Sequence, residues 1–271
     1  ARLKAEATSL EHLRLHIPKN PFRRTCCSVK AYKKQHRRRD PAVVVGSSKP
    51  EKYGDLMTGD HIFSLEEDCQ DGHEAALVLS DAATSFLDCV GQDGKGSVAT
   101  SASLSASVGL DTISCFYSDS SKELKKSIAD LPGTVHLQST PYDPQNNSMI
   151  ERVNKSVVEG ARCAIHQSGI STWFGHYAAR YFCMTKNIST GAWLKRFGVP
   201  FAGYLPVFGQ KCLFKPPPPI VKALPKYEAR TYEGIFLGLH LRAGCTWKQE
   251  YLVADITEFT LEHLRTGKPV R

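Results

Sequence analysis

The chain contains no apolar run approaching the roughly 18 residues needed to span a bilayer. Its first residues, ARLKAEATSL, lack the apolar stretch of a secretion signal. Membrane passage and export through a leader are therefore not expected. A disulfide pattern is missing too: the nine cysteines, at 26, 27, 69, 89, 115, 163, 183, 212 and 245, are odd in number and follow no repeated spacing. That argues against a secreted disulfide scaffold and for a reducing compartment. With 41% hydrophobic and 23% charged residues, the composition is neither that of a disordered chain nor that of collagen. Its 271 residues suffice to bury a sizeable core without cross-links. Position 1 is Ala rather than Met, which fits a piece of a longer product.

Excess positive charge is absent from most of the sequence. Residues 1–52 carry 14 Lys and Arg against 4 Asp and Glu, a net of +10; the other 219 carry 21 against 23, a net of −2. The densest block includes Lys30, Lys33, Lys34, Arg37, Arg38 and Arg39. Such a block holds phosphate backbones by counterion release without reading sequence. A solvated tail or a localisation signal has the same composition.

Residues 1–40 read as a short helical module ending in the basic segment, and 41–52, with Pro, Gly and Ser, as a linker. A core follows over 53–199, and a small β-rich segment over 200–271 around a stiff connector at Pro216–Pro219. Within the core, short apolar runs at Leu56–Leu65, Ala75–Leu79, Phe86–Val90 and Ile113–Tyr117 have the length and borders of strands. Gly91–Gly109, rich in Ser, Ala and Gly, is at best a weak helix; Lys122–Asp130 suits a helix and Thr134–Ser139 a strand. Over 149–167, Ile150, Val153, Val157, Ala161, Ala164 and Ile165 form one apolar stripe at helical spacing, with Glu151, Lys155 and Arg162 on another face. A second helix is expected over Thr172–Lys186, its aromatics facing the core. Strands followed by alternating helices predict an α/β fold with a mixed sheet.

Three carboxylates stand out. Asp60 interrupts the first strand, Asp119 follows the strand ending at Tyr117, and Glu151 lies in the first turn of the strongest helix. If the first and fourth strands are neighbours, all three reach one edge of the sheet. Hard oxygen ligands in that arrangement suit a pair of Mg2+ ions about 3.5–4 Å apart and phosphodiester transfer. Each residue also has a plainer role available. Asp119 can cap the next helix, and Ser148-x-x-Glu151 fits a capping box. Asp60 is the hardest to explain away, because an unpaired buried charge is costly.

These residues sit in recognisable surroundings. Thr58-Gly59-Asp60-His61, Tyr117-Ser118-Asp119-Ser120 and the run from Pro141 through Gln145, Asn147, Glu151, Arg152 and Asn154 to Lys155 resemble the catalytic core of retroviral and copia-type retrotransposon integrases. Val207-Phe208-Gly209, Arg230 with Gly234–Gly238, and Tyr251–Asp255 resemble the segment that follows that core in copia-type polyproteins. The resemblance implies an RNase H-like fold and a catalytic, metal-holding triad of Asp60, Asp119 and Glu151 with Mg2+ or Mn2+. It also implies DNA contacts from Gln145 and Asn147 in a loop beside the site and from Lys155, for which the plainer role is an i, i+4 pair with Glu151. It further implies DNA as partner, a homo-oligomer on that DNA, and a nuclear location. The N-terminus resembles the family's His-His-Cys-Cys zinc module: His12 and His16 have the i, i+4 spacing, and Cys26 and Cys27 follow. Here the chain departs from the pattern, since Arg23 stands where the first Cys is expected, and His36 offers a substitute. Ser120 replaces the usual Asn, and the 31 residues between Asp119 and Glu151 are fewer than in most retroviral members. The expected activity is 3′-end processing and strand transfer. A catalytically decayed DNA-binding remnant, an RNase H-type nuclease and a structural zinc scaffold are the rivals.

Overall fold

The computed structural model describes residues 2–30, 49–63, 72–119, 121–138, 148–216, 218–223 and 225–258. The elements run α1 (Arg2–Glu6), α2 (Leu10–Leu15), α3 (Arg24–Val29), β1 (Met57–Phe63), β2 (Ala75–Asp81), β3 (Leu87–Gln92), α4 (Ser97–Val108), β4 (Cys115–Ser118), α5 (Lys122–Ala129), β5 (Val135–Gln138), α6 (Ser148–Ser168), α7 (Gly175–Ser189), α8 (Ala192–Phe197), β6 (Lys211–Phe214), α9 (Pro218–Ala223), β7 (Tyr232–Arg242) and β8 (Thr246–Asp255).

Five strands form one mixed sheet in the order β3-β2-β1-β4-β5. β1, β2 and β3 are antiparallel, whereas β4 and β5 run parallel to β1. β2 is buried on both faces and alternates between two apolar cores. Ala76 and Val78 pack with α6 and α7, while Leu77 and Leu79 pack with Leu104 of α4 and with Leu124 and Ile128 of α5. Helices therefore cover both faces, and the strand order, strand directions and layers are those of the RNase H-like fold. Gly59 lets β1 sit this deep: a Cβ there would come within 2.7 Å of Leu79 Cδ2 and 2.9 Å of Phe116 Cζ. Gly160 does the same for α6 against α7, where the Phe182 ring fills the space a Cβ would need.

The apolar stripe of α6 is buried as expected, with Ile150, Val157, Ala161 and Ala164 in the core and Glu151, Lys155 and Arg162 exposed. Two expectations need correction. The Ser-rich stretch forms a full helix, α4, that buries Thr100, Ser103 and Ser107. Thr100 Oγ1 donates to the Gly96 carbonyl one turn back, so the hydroxyl is satisfied inside the layer. The proline tract is not a stiff extended connector either. Pro218 and Pro219 open α9, where a proline's missing N–H has no helical partner to lose.

A second sheet, β6-β7-β8, joins the same core through Phe236, Leu237 and Leu239. A buried ion pair fixes this junction. Arg180 of α7 reaches Asp88 of β3 through Nε at 3.1 Å and Nη2 at 3.2 Å. The Cys245 thiol, at the corner between β7 and β8, donates to the same carboxylate at 3.1 Å. Burial alone would raise the Asp88 carboxyl; the Arg180 charge and these hydrogen bonds outweigh it and hold the group below its ordinary value.

Candidate active site and metal-ligand sets

β1 and β4 pair in parallel with Thr58 opposite Tyr117. Asp60, inside β1, and Asp119, the residue after β4, each lie two residues further on, so both stand toward the same end of adjoining strands. α6 packs against β1 and brings its first turns to the same place. Asn154 Nδ2 donates to Asp60 Oδ2 at 2.9 Å, and the His61 amide donates to Oδ1 at 2.8 Å. Asp119 Oδ1 accepts from the Ser121 amide at 3.1 Å. Glu151, one turn before Asn154, is exposed.

The electrostatics tie the three together. The Asp60 carboxyl is raised above its ordinary value, first by burial and then by the negative charges of Asp119 and Glu151. The hydrogen bonds from His61 and Asn154 oppose this only in part. Asp119 and Glu151 thus lie near enough to act on Asp60, and a divalent cation there would relieve the repulsion that Asp60 feels. They do not form a closed cage. Among the described residues, the group of three ligand atoms packed within 4.8 Å of one another lies elsewhere.

That group is His12, His16 and Cys26, all buried. His12 Nε2 stands 3.2 Å and His16 Nδ1 3.4 Å from Cys26 Sγ. The i, i+4 spacing and the αL conformation of His16 at the C-cap of α2 turn both rings toward α3. Burial lowers both imidazoles, His16 to about 3, so each stays neutral and fit to ligate. Among the described residues, His12 Nδ1 has no hydrogen-bond partner. Cys27 stays out of the group: consecutive helical residues point about 100° apart, and its exposed thiol faces the Pro21 carbonyl at 3.3 Å.

Lys30 departs from its expected place on a DNA-binding surface. It is 7% exposed, and Nζ donates inward to the His16 carbonyl at 2.9 Å. Lys155 is exposed near Glu151. Lys33, Lys34, Arg37, Arg38, Arg39, Gln145 and Asn147 lie outside the described residues, as do Ser120 and His36. Asn154 is the site residue that reading by charge passed over. Its signal was the spacing, because a residue three beyond Glu151 shares that face of the helix.

No protein-family model and no curated protein matches the chain. Two solved structures are similar to it at low identity. The catalytic core domain of BIV integrase matches at 14% identity and a TM-score of 0.37, over 49% of this chain and 84% of that one. The simian T-cell lymphotropic virus intasome in complex with the PP2A regulatory subunit B56 gamma matches at 14% identity and a TM-score of 0.44, over 77% of this chain and 80% of that one.

Proposed function

We propose that the chain is the integrase part of a copia-type retrotransposon polyprotein and that it transfers element DNA into target DNA. The observation that supports this is Asp60, held in the central strand of an RNase H-like sheet under the combined negative field of Asp119 and Glu151. In this reading the three carboxylates hold two Mg2+ or Mn2+ ions. When bound, such ions activate an attacking oxygen and stabilise a leaving one. Asn154 fixes the Asp60 carboxylate, which would hold a cation through its remaining lone pairs.

The chemistry proceeds by two displacements. Water attacks a phosphorus near the element's 3′ end, the P–O3′ bond breaks, and the element strand keeps a free 3′-hydroxyl. That hydroxyl then attacks a target phosphorus, joins to it, and expels the target's own 3′-oxygen. Positioning and electrostatics supply the rate, so no covalent enzyme intermediate is needed. Lys155, Gln145 and Asn147 are assigned to DNA near the reacting end. Lys33, Lys34, Arg37, Arg38 and Arg39 are assigned to nonspecific phosphate contact, with the protein multimeric on DNA in the nucleus. His12, His16 and Cys26 are assigned to a structural Zn2+, which suits two neutral imidazoles and a thiol.

The test is a strand-transfer assay with purified protein, element-end DNA, a target plasmid and Mg2+. Joined products that disappear in Asp119→Asn support the proposal. Cut strands without joining support an RNase H-type nuclease. Intact DNA binding with no Mg2+-dependent products identifies a decayed remnant, and stoichiometric Zn2+ with neither activity nor DNA binding identifies a scaffold.

A further inference from the structure

Among the described residues the N-terminal ligand set has three members, whereas a structural zinc site takes four. Neither residue that the sequence offers next to Cys26 completes it: the Cys27 thiol points to the Pro21 carbonyl, and the Arg23 guanidinium extends away to Gln167 Oε1 at 2.7 Å. His36 lies outside the described residues; among those described, the side toward α6 remains. α3 packs along α6, Thr25 Oγ1 meets His166 Nδ1 at 3.3 Å, and Gln167 Nε2 donates to the Leu13 carbonyl at 3.1 Å. Residues 166 and 167 therefore face the module, and Cys163, three and four residues earlier, lies on the same side of the helix one turn away. Cys163 is fully buried.

We infer that Cys163 of α6 is the fourth ligand of the zinc site, replacing the cysteine that Arg23 displaces, so that the ion fastens the N-terminal module to the RNase H-like core. This rests on the zinc assignment made above. The Cys163 sulfur lies outside the close group of three, so loading draws it in by a side-chain movement. A buried thiolate is viable once a cation shares its charge.

The experiment uses the full chain, stripped of metal and reloaded with one equivalent of Co2+, whose near-ultraviolet sulfur-to-metal absorption scales with the number of thiolates. Wild type is expected to show tetrahedral Co2+ with two thiolates. Cys163→Ser should lose about half of that absorption, and Cys27→Ser none. Because a buried serine can perturb packing, Arg23→Cys is added to the Cys163→Ser background, where it should restore the two-thiolate spectrum. One-thiolate absorption in wild type, or an unchanged spectrum in Cys163→Ser, overturns the inference while leaving the zinc assignment standing. Halved absorption in Cys27→Ser assigns the fourth ligand to Cys27. Failure of wild type to bind Co2+ or Zn2+ overturns the zinc assignment and this inference together.

Discussion

At one end of α6, His12, His16 and Cys26 bring three ligand atoms within 4.8 Å of one another in a buried module. At the other end, Asp60 of β1 feels the charges of Asp119, just past β4, and of Glu151 in α6, in a more open setting with Glu151 exposed. The first set arises from local geometry, one helical repeat and a short return. The second exists only because two strands distant in sequence are neighbours. Softness and openness differ together: nitrogen and sulfur ligands in a closed site suit an ion that holds a fold, and oxygen ligands facing solvent suit ions that handle a substrate.

The sharpest way to break this contrast is Asp119→Asn, which should lower strand transfer roughly 1,000-fold, several kcal/mol of transition-state stabilisation. Thermal unfolding should barely move, and a large fall in melting temperature would mean that the acidic set is structural after all. Next in size is Arg180→Ala, which strands Asp88 in the core and should cost about 3–5 kcal/mol in denaturant unfolding. Both ligand sets should suffer alike, since the pair lies in the shared frame. His16→Ala should cost about 1–3 kcal/mol and abolish Zn2+ binding. Its loss of hydrogen-exchange protection should be confined to residues 2–30, with β1 and β4 unaffected.

The smallest effect is in pH, where the two regions should respond with opposite signs. His16 is lowered in the fold to about 3 from 6.5, so between those values the unfolded chain binds the extra proton. Metal-free protein should therefore lose module stability as pH falls from about 6.5 toward 3. Asp60 is raised above 3.8, so the folded chain holds the extra proton and stability is lost as pH rises through that window. At neutral pH, Asp60→Asn should accordingly raise the melting temperature slightly while abolishing activity; a lowered melting temperature would contradict this account of the site.

Much of this was legible in the sequence. Six apolar residues at helical spacing located α6, and the run of short strands located the sheet. Adjacency of the first and fourth strands is the sequence's condition for bringing Asp60 and Asp119 together, and the structure pairs β1 with β4, in parallel. What could not be read were partnerships across long separations. Nothing near Asp88 announces Arg180, 92 residues later, or Cys245, 157 residues later. α4 was underestimated because buried hydroxyls look polar in a string, and the partners of Thr100 and Ser107, the Gly96 carbonyl and the Cys245 thiol, appear only in three dimensions. α8 carried no clear period, being a six-residue helix between two αL glycines. Lys30 was counted as surface charge because its inward turn depends on the His16 carbonyl.

α6 is a single 21-residue rod, and Glu151 and Gln167 lie about 24 Å apart along it at 1.5 Å per residue. Its first turns hold Asp60 through Asn154, and its last turns grip Leu13 and Arg23 through Gln167. One continuous helix therefore sets the distance from the N-terminal module to Glu151, with no loop between them to vary it.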